Sequence, residues 1–338
     1  MSNWKESFRQ SSKLSQDSTF LQSNFKTLIT PLIAEKIKKY GVDSPIGKQF
    51  IPAYDETDAL KQSTGLLDPI ADEKYLAAPG LIHRYPNRAL YIPTSTCPVH
   101  CRYCFRRNEI ENQTEIFERD IEAAVEYLKM NPEIDEIIFT GGDPLSLDTP
   151  RLEKIIAEFK KISSLHYLRF HTRFISTIPE RIDEAFLNFL KNTTPHFKSI
   201  NVVLHINSHL EICHEVEQAI LKLRETKVTL LSQSVLLKDV NNNADQLVRL
   251  FKKLSDLGVR PYYLHHADKV FGATHFMTSL EEGRKIYHEV RKQLSGWMIP
   301  EYVIDLPSGG GKVPAYNSEH FEFSGKFINR FQKTEQYH

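Results

Sequence analysis

The chain has 338 residues, 41% hydrophobic and 25% charged, the balance of a globular protein with room for one large α/β domain with additions or two ordinary domains. Lys plus Arg equals Asp plus Glu at 43 each, so no bulk field recruits nucleic acid or an anionic membrane. No apolar run is long enough to cross a bilayer, Met1-Ser2-Asn3-Trp4-Lys5 opens no signal peptide, and clustered cysteines argue for a reducing, cytoplasmic setting over a disulfide framework.

Residues 1–18 are polar and read as a mobile lead-in. From Phe20 to Tyr40 apolar residues recur at helical spacing, with Pro31 predicting a break between two helices and Gly41 a stop. Residues 42–80 carry scattered prolines and little periodicity, an ordered but irregular wrap. Leu81 to Arg88 is basic and aromatic, and taken alone reads as a solvated turn. Ala89 to Thr94 reads as a short buried strand. It leads into Cys97-Pro98-Val99-His100-Cys101-Arg102-Tyr103-Cys104, with Phe105, Arg106 and Arg107 behind it.

A strict alternation follows. Helices are predicted over 119–130, 150–162, 181–191, 210–225, 243–257 and 280–294. Strands are predicted over 136–140, 167–172, 199–205, 228–237 and 260–265. With Ala89 onward this makes six strands joined by helices or comparable crossovers, hence a parallel sheet with helices outside. Periodicity does not separate an open doubly wound sheet from a barrel. Cys97, Asp143, Arg173, His205, Gln233 and Asp268, one in each of the six units, are polar residues toward the strand ends, where α/β enzymes gather their chemistry. A further short strand over 302–305 precedes Ser308-Gly309-Gly310-Gly311-Lys312-Val313.

Two stretches carry chemistry. Three thiols spaced three and then two residues apart can hold a cubane iron–sulfur cluster, which normally takes four, leaving one iron open. The alternative is a zinc site completed by His100, His214 or Cys213, although structural zinc usually uses two CxxC-type pairs and no second pair is present. Behind the three glycines, Lys312 does not suit a P-loop, which needs Ser or Thr where Val313 stands, and taken alone the stretch reads as an ordinary glycine-rich turn with a solvated lysine. A Schiff-base lysine carrying pyridoxal phosphate (PLP) also fits a flexible amine beside a crowded cofactor.

CxxxCxxC with an aromatic residue before the third cysteine resembles the radical S-adenosylmethionine (SAM) superfamily. With Gly141-Gly142-Asp143 after the second strand and GGGK near the C-terminus, the stretch from about Gln49 to Pro314 is similar to the lysine 2,3-aminomutase family. The resemblance implies an α/β fold: a partial (β/α)6 radical SAM barrel over 81–296, a helical and irregular extension over 1–80, and a C-terminal PLP-binding segment over 297–338. It implies a [4Fe-4S] cluster on Cys97, Cys101 and Cys104, with the open iron chelating SAM. PLP would be carried on Lys312, its phosphate held by Arg84, Tyr85 and Arg88, which replaces the solvated-turn reading of that cluster. Gly141, Gly142, Asp143, His205 and Gln233 would lie near SAM. Arg106 would take the carboxylate of L-lysine, and Asp268 and Asp305 its distal ammonium.

The implied reaction is radical hydrogen abstraction from Cβ, migration of the amino group from Cα to Cβ, and release of β-lysine. It needs an electron donor for the cluster and no nucleic acid or membrane. Glutamate-specific relatives replace the two acids with basic or amide residues, and this chain keeps both. Two carboxylates converging at one barrel mouth also predict one sharply raised pKa. No cysteine follows Cys213, and Asn243 stands where a zinc ligand of the long family members would fall. That pattern resembles the short branch, the elongation factor P β-lysylation enzymes, whose (R)-β-lysine a separate ligase attaches to elongation factor P.

Overall fold

Strands β3 (Arg88–Tyr91), β4 (Glu136–Phe139), β5 (Tyr167–Thr172), β6 (Ser199–His205), β7 (Thr229–Leu236), β8 (Arg260–His266) and β9 (Glu301–Leu306) pair in parallel, each with the next in the chain. A doubly wound sheet reverses its strand order at a switch point. Here the order never reverses, so the sheet curls in one direction into a partial barrel. The computed structural model describes residues 3–14, 25–316, 326–328 and 334–336.

The alternation within each strand decides which face is covered. In β5, Leu168, Phe170 and Thr172 are buried, while Tyr167, Arg169 and His171 are half-buried. Leu168 and Phe170 join Ile137, Phe139, Val202 and Leu204 in the main core, packed under the helices Ile121–Met130, Thr149–Phe159 and Glu184–Thr193. The opposite face of β5, β6 and β7 carries Arg169, His171, His205 and Gln233 instead. It is a mixed lining in which these polar groups share the face with Val203, Leu231 and Val235. Helix starts follow the sequence closely, because Asp120, Asp148, Asp183 and Ser279 each accept a backbone N–H of the first turn. Asn243 does the same for Ala244–Asp256, accepting from Asp245 and Gln246.

Both ends of the parallel sheet are extended by antiparallel strands. β1 (Leu76–Ala78) and β2 (Leu81–Tyr85) precede β3, and β10 (Gly311–Pro314) folds back on β9 with Lys312 directly opposite Asp305. The strand over 301–306 therefore continues the same sheet as the six before it. The two ends meet through side chains: the Lys312 N–H donates to the Tyr85 hydroxyl at 2.8 Å. Among the described residues no backbone ladder joins them.

Two expectations for the N-terminal region are corrected. The predicted mobile lead-in contains the helix Asn3–Leu14, docked by Trp4, which is 3% exposed and packs 6.1 Å from the Phe174 ring and 4.8 Å from the Arg181 guanidinium. Of the two helices expected around Pro31, only Pro31–Tyr40 is found among the described residues, with Pro31 in its first turn and Thr30 as cap. Residues 26–30 are not helical, and 20–24 lie outside the described residues. No described helix is long and apolar enough to cross a membrane.

Candidate active site

The cysteine loop leaves the end of β3 and runs beside the loop that follows β4. The Gly142 N–H donates to Thr94 O and the Asp143 N–H to Thr96 O, both at 2.9 Å. Gly141 has φ +106, and a Cβ there would stand 2.3 Å from Ile92 Cγ2; one on Gly142 would stand 2.6 Å from the backbone of Ser95. The two glycines thus let the two loops touch, a close approach a side chain would block.

The three thiols are half-buried and near enough to act on one another. Burial pushes each up, Cys104 to about 12, and for Cys97 the charges of Asp143, Cys104 and Cys101 add to it. Three thiolates do not persist side by side there without positive charge between them. The cations of an iron–sulfur cluster supply that charge, so the donor set fits the group. His100 is committed elsewhere: its Nδ1 donates to Lys26 O at 2.7 Å and its ring stacks on Phe25. Cys213 and His214 line a separate cleft with Lys39 and Arg249. Replacing any one of Cys97, Cys101 or Cys104 by Ala should abolish cluster retention, and Cys213→Ala should leave it intact. Iron and sulfide analysis after anaerobic purification checks this, and iron lost only with Cys213 would overturn the assignment.

What holds the loop lies beneath it. Arg102 is fully buried, with Nε 2.9 Å from Glu56 Oε1, Nη2 on Glu56 Oε2 and Nη1 on Phe25 O. Arg107 adds a second ion pair to Glu56 at 2.8 Å and reaches Gly272 O at 2.6 Å. On the neighbouring strands, Asp143 accepts from Leu145 N, Thr172 Oγ1 and Arg173 N at 3.0, 2.8 and 2.6 Å. Burial nevertheless pushes its carboxyl up to about 6. Arg173 donates to Gln49, Glu211 and the Tyr103 hydroxyl, and the Tyr103 hydroxyl meets His205 Nε2 at 3.1 Å. Gln233 faces His205 in register and hydrogen-bonds His171. Burial, then the nearby cations, drives both histidines well below their usual range, so they are neutral at pH 7. The expected SAM-side residues therefore fall into one network. Asp143 serves in it by tying the end of β4 to the end of β5.

The second centre forms where β9, β10 and β2 meet. Lys312 Nζ lies 2.9 Å from Asp305 Oδ2 and 3.2 Å from Oδ1. Arg84 Nη1 is 3.9 Å and His265 Nδ1 3.8 Å from the same carboxylate. Burial raises the Asp305 carboxyl, but Lys312, His265 and Arg84 outweigh it and hold it below its ordinary value. Asp268 also feels Lys312 and Arg84, but they do not outweigh what opposes them. Burial and then the Asp305 charge push it up to about 8, the sharply raised member that two converging acids demand. Gly311 has φ +88, and a Cβ there would lie 2.6 Å from the Tyr85 hydroxyl, so the strand can press on Tyr85 only without one. Arg88 stacks on the Tyr85 ring at 3.8 Å. An amine, two arginines and a glycine-bared backbone are a fitting donor set for an aldehyde-bearing phosphate. Arg106 does not stand alone: it pairs with Asp72, which also pairs with Arg84.

Asp72, Glu56 and Gln49 were not singled out from the sequence. All three lie in the wrap without periodicity, and nothing local marks which arginine each will meet. His265 was a readable omission, three residues before Asp268 on the same strand end.

A family model described as the Radical SAM superfamily matches residues 91–268. The L-lysine 2,3-aminomutase of Escherichia coli K12 is 40% identical over 83% of this chain and 80% of its own length. A putative L-lysine 2,3-aminomutase of Aquifex aeolicus is 35% identical over 87% and 78%. A glutamate 2,3-aminomutase of Clostridioides difficile is 33% identical over 86% and 68%. With cysteine loop, strand-end network and lysine hairpin in place, the chain is an isomerase that belongs to the lysine 2,3-aminomutase family of radical SAM enzymes.

Proposed function

We propose that this isomerase converts L-α-lysine to (R)-β-lysine with a [4Fe-4S] cluster, SAM and PLP, in the cytoplasm, and that the product supplies the modification of elongation factor P through a separate ligase. One observation carries the choice of lysine. An ammonium, that of Lys312, already sits on Asp305 at 2.9 Å, with Asp268 beside the pair. When Lys312 is engaged by the cofactor, Asp305 is left without its nearest cation, and a substrate ammonium restores the balance. A glutamate side chain would instead bring a third carboxylate against these two acids.

When bound, the cluster, reduced by an electron donor, and SAM supply the hydrogen-abstracting radical, and PLP makes the amino group mobile. This chain's residues supply the rest. Cys97, Cys101 and Cys104 hold the cluster, and His205 and Gln233, neutral or uncharged, line the SAM side without adding charge. Arg84, Tyr85 and Arg88 would hold the PLP phosphate, the arginines by charge-assisted bonds. Arg106 would orient the substrate carboxylate, and Asp268 and Asp305 would fix the other end, so that Cβ faces the radical.

The test is anaerobic turnover with SAM, PLP and a reductant, offering lysine and glutamate separately and identifying the product by chiral chromatography. (R)-β-lysine from lysine, accepted by the elongation factor P ligase, is the expected result; faster turnover of glutamate would sink the reading. Lys312→Ala should lose the PLP absorbance and the borohydride-trapped adduct while keeping iron and SAM binding. A pyridoxyl label mapped to another lysine would contradict it.

A further inference from the structure

Asp72 lies where neither the cysteine motif nor the glycine loop points. Its carboxylate is 2% exposed and its two oxygens are divided between two elements. One accepts from Nη2 of Arg84, on β2 at the lysine-hairpin end; the other accepts from Nη2 of Arg106, on the cysteine loop. Arg84 and Arg106 are 7% and 2% exposed, and two guanidiniums held that close in a poorly screened interior repel unless an anion lies between them. The carboxylate is itself fixed. Asp68 accepts from the Asp72 and Glu73 N–H groups at 3.1 and 3.2 Å, and Ala71 turns the chain at φ 56. The same loop presses on the glycine loop: a Cβ on Gly309 would lie 2.7 Å from the Tyr75 ring and 3.2 Å from Ala71 Cβ. Arg84 Nε, and Arg106 Nε and Nη1, stay buried without partners. Asp72 uses one donor of each arginine and leaves others unspent, as two oxyanion sites side by side would require.

We infer that Asp72 is a positioning residue that couples the two halves of the site. It sets Arg84 and Arg106 relative to each other, so that the cofactor phosphate and the substrate carboxylate are received in one fixed geometry. The inference rests on the proposed reading in which Arg84 serves PLP and Arg106 serves the substrate.

Two measurements test it: PLP binding to apoenzyme by fluorescence titration, and steady-state kinetics with lysine. Asp72→Asn keeps the shape but turns one acceptor into a donor facing a guanidinium. The PLP Kd and the lysine KM should both rise at least about tenfold, as expected when one partner of a buried charge pair is lost. The kcat at saturation should stay within about threefold, because ground-state positioning is what is removed. Iron content and the electron paramagnetic resonance signal of the SAM-bound cluster should not move. A variant with both affinities within about twofold of the parent, or with only one of them shifted, overturns the inference. If Asp72→Asn does not fold, Arg106→Lys decides. It keeps the charge but loses the fork, and should weaken PLP binding at least about fivefold although Arg106 serves the substrate. Unchanged PLP affinity in that variant overturns the coupling. The parent is measured first: a parent that binds no PLP, or leaves lysine unturned, overturns the functional reading and this inference with it. A competent parent with a silent variant overturns the inference alone.

Discussion

Asp305→Asn should lower kcat/KM for lysine by about two to three orders of magnitude while iron stays bound, because losing one partner of a desolvated charge pair costs about 2–5 kcal/mol. Asp305 is 6% exposed and already balances an ammonium, so its charge cannot be replaced by solvent. Asp268→Asn should show a comparable loss with an added pH signature. The Asp268 carboxyl sits at about 8, raised first by burial and then by Asp305, so in the free enzyme at neutral pH it holds its proton. It must give that proton up to receive an ammonium. The kcat/KM for lysine should therefore climb as pH rises to about 8 and beyond, since the cofactor takes away the Lys312 charge that lowers the Asp268 carboxyl, with proton uptake by buffer detectable on binding across that range. The limb near 8 should vanish in Asp268→Asn. Lysine kinetics untouched by both substitutions would overturn the assignment of the pair.

Glu56→Ala should damage the fold severely. Glu56 is 3% exposed and neutralises Arg102 and Arg107, themselves 0% and 4% exposed. Removing it leaves two buried guanidiniums facing each other, a loss of about 3–5 kcal/mol, or on the order of 5–10 °C in Tm. The cysteine loop hangs from Arg102, so iron retention should fall with it. The pH dependence has a definite sign. Burial raises the Glu56 carboxyl, but Arg102 and Arg107 outweigh it and leave it below its ordinary value. Its stabilisation is therefore complete above the usual carboxylate range and lost as pH falls through the lower folded value. Thermal melts of parent and variant should differ most near neutrality and converge in acid. Equal Tm values at pH 7 would show that the loop is held by something else.

Much of this was legible because the chemistry is local. Three thiols in eight residues announce a cluster, and Asp305 and Lys312, seven residues apart around a glycine turn, become directly opposed as soon as the hairpin forms. The ends of β3 to β8 could be read because each is followed by a polar residue and, after all but β6, by a helix with a side-chain cap. What was not legible depends on residues far apart. Asp72 acquires its meaning from Arg84 and Arg106, and Glu56 from Arg102 and Arg107, across a wrap whose prolines erase periodicity. The N-terminal helix hid behind polar composition, although Trp4, Phe8 and Ser11 share one face at spacings of four and three. Gly141 and Gly142 were read as cofactor lining, whereas the contacts around them give first a packing reason.

The curled sheet is fastened at its two ends by a clasp rather than woven shut. Tyr85 takes one N–H from β10, and Arg84 reaches Asp305 across the same gap. Parting a ladder means breaking a row of hydrogen bonds together; parting this slit means breaking the Tyr85 bond, at about 0.5–1.5 kcal/mol, stretching the Arg84–Asp305 pair and unpacking Tyr75 and Ala71 from Gly309. The residues across this slit are the ones that would grip the cofactor, so on the proposed reading loading the site would also tighten the ring. Amide exchange at Lys312 should slow sharply once PLP is bound, while the woven strands β5 to β7 exchange no differently.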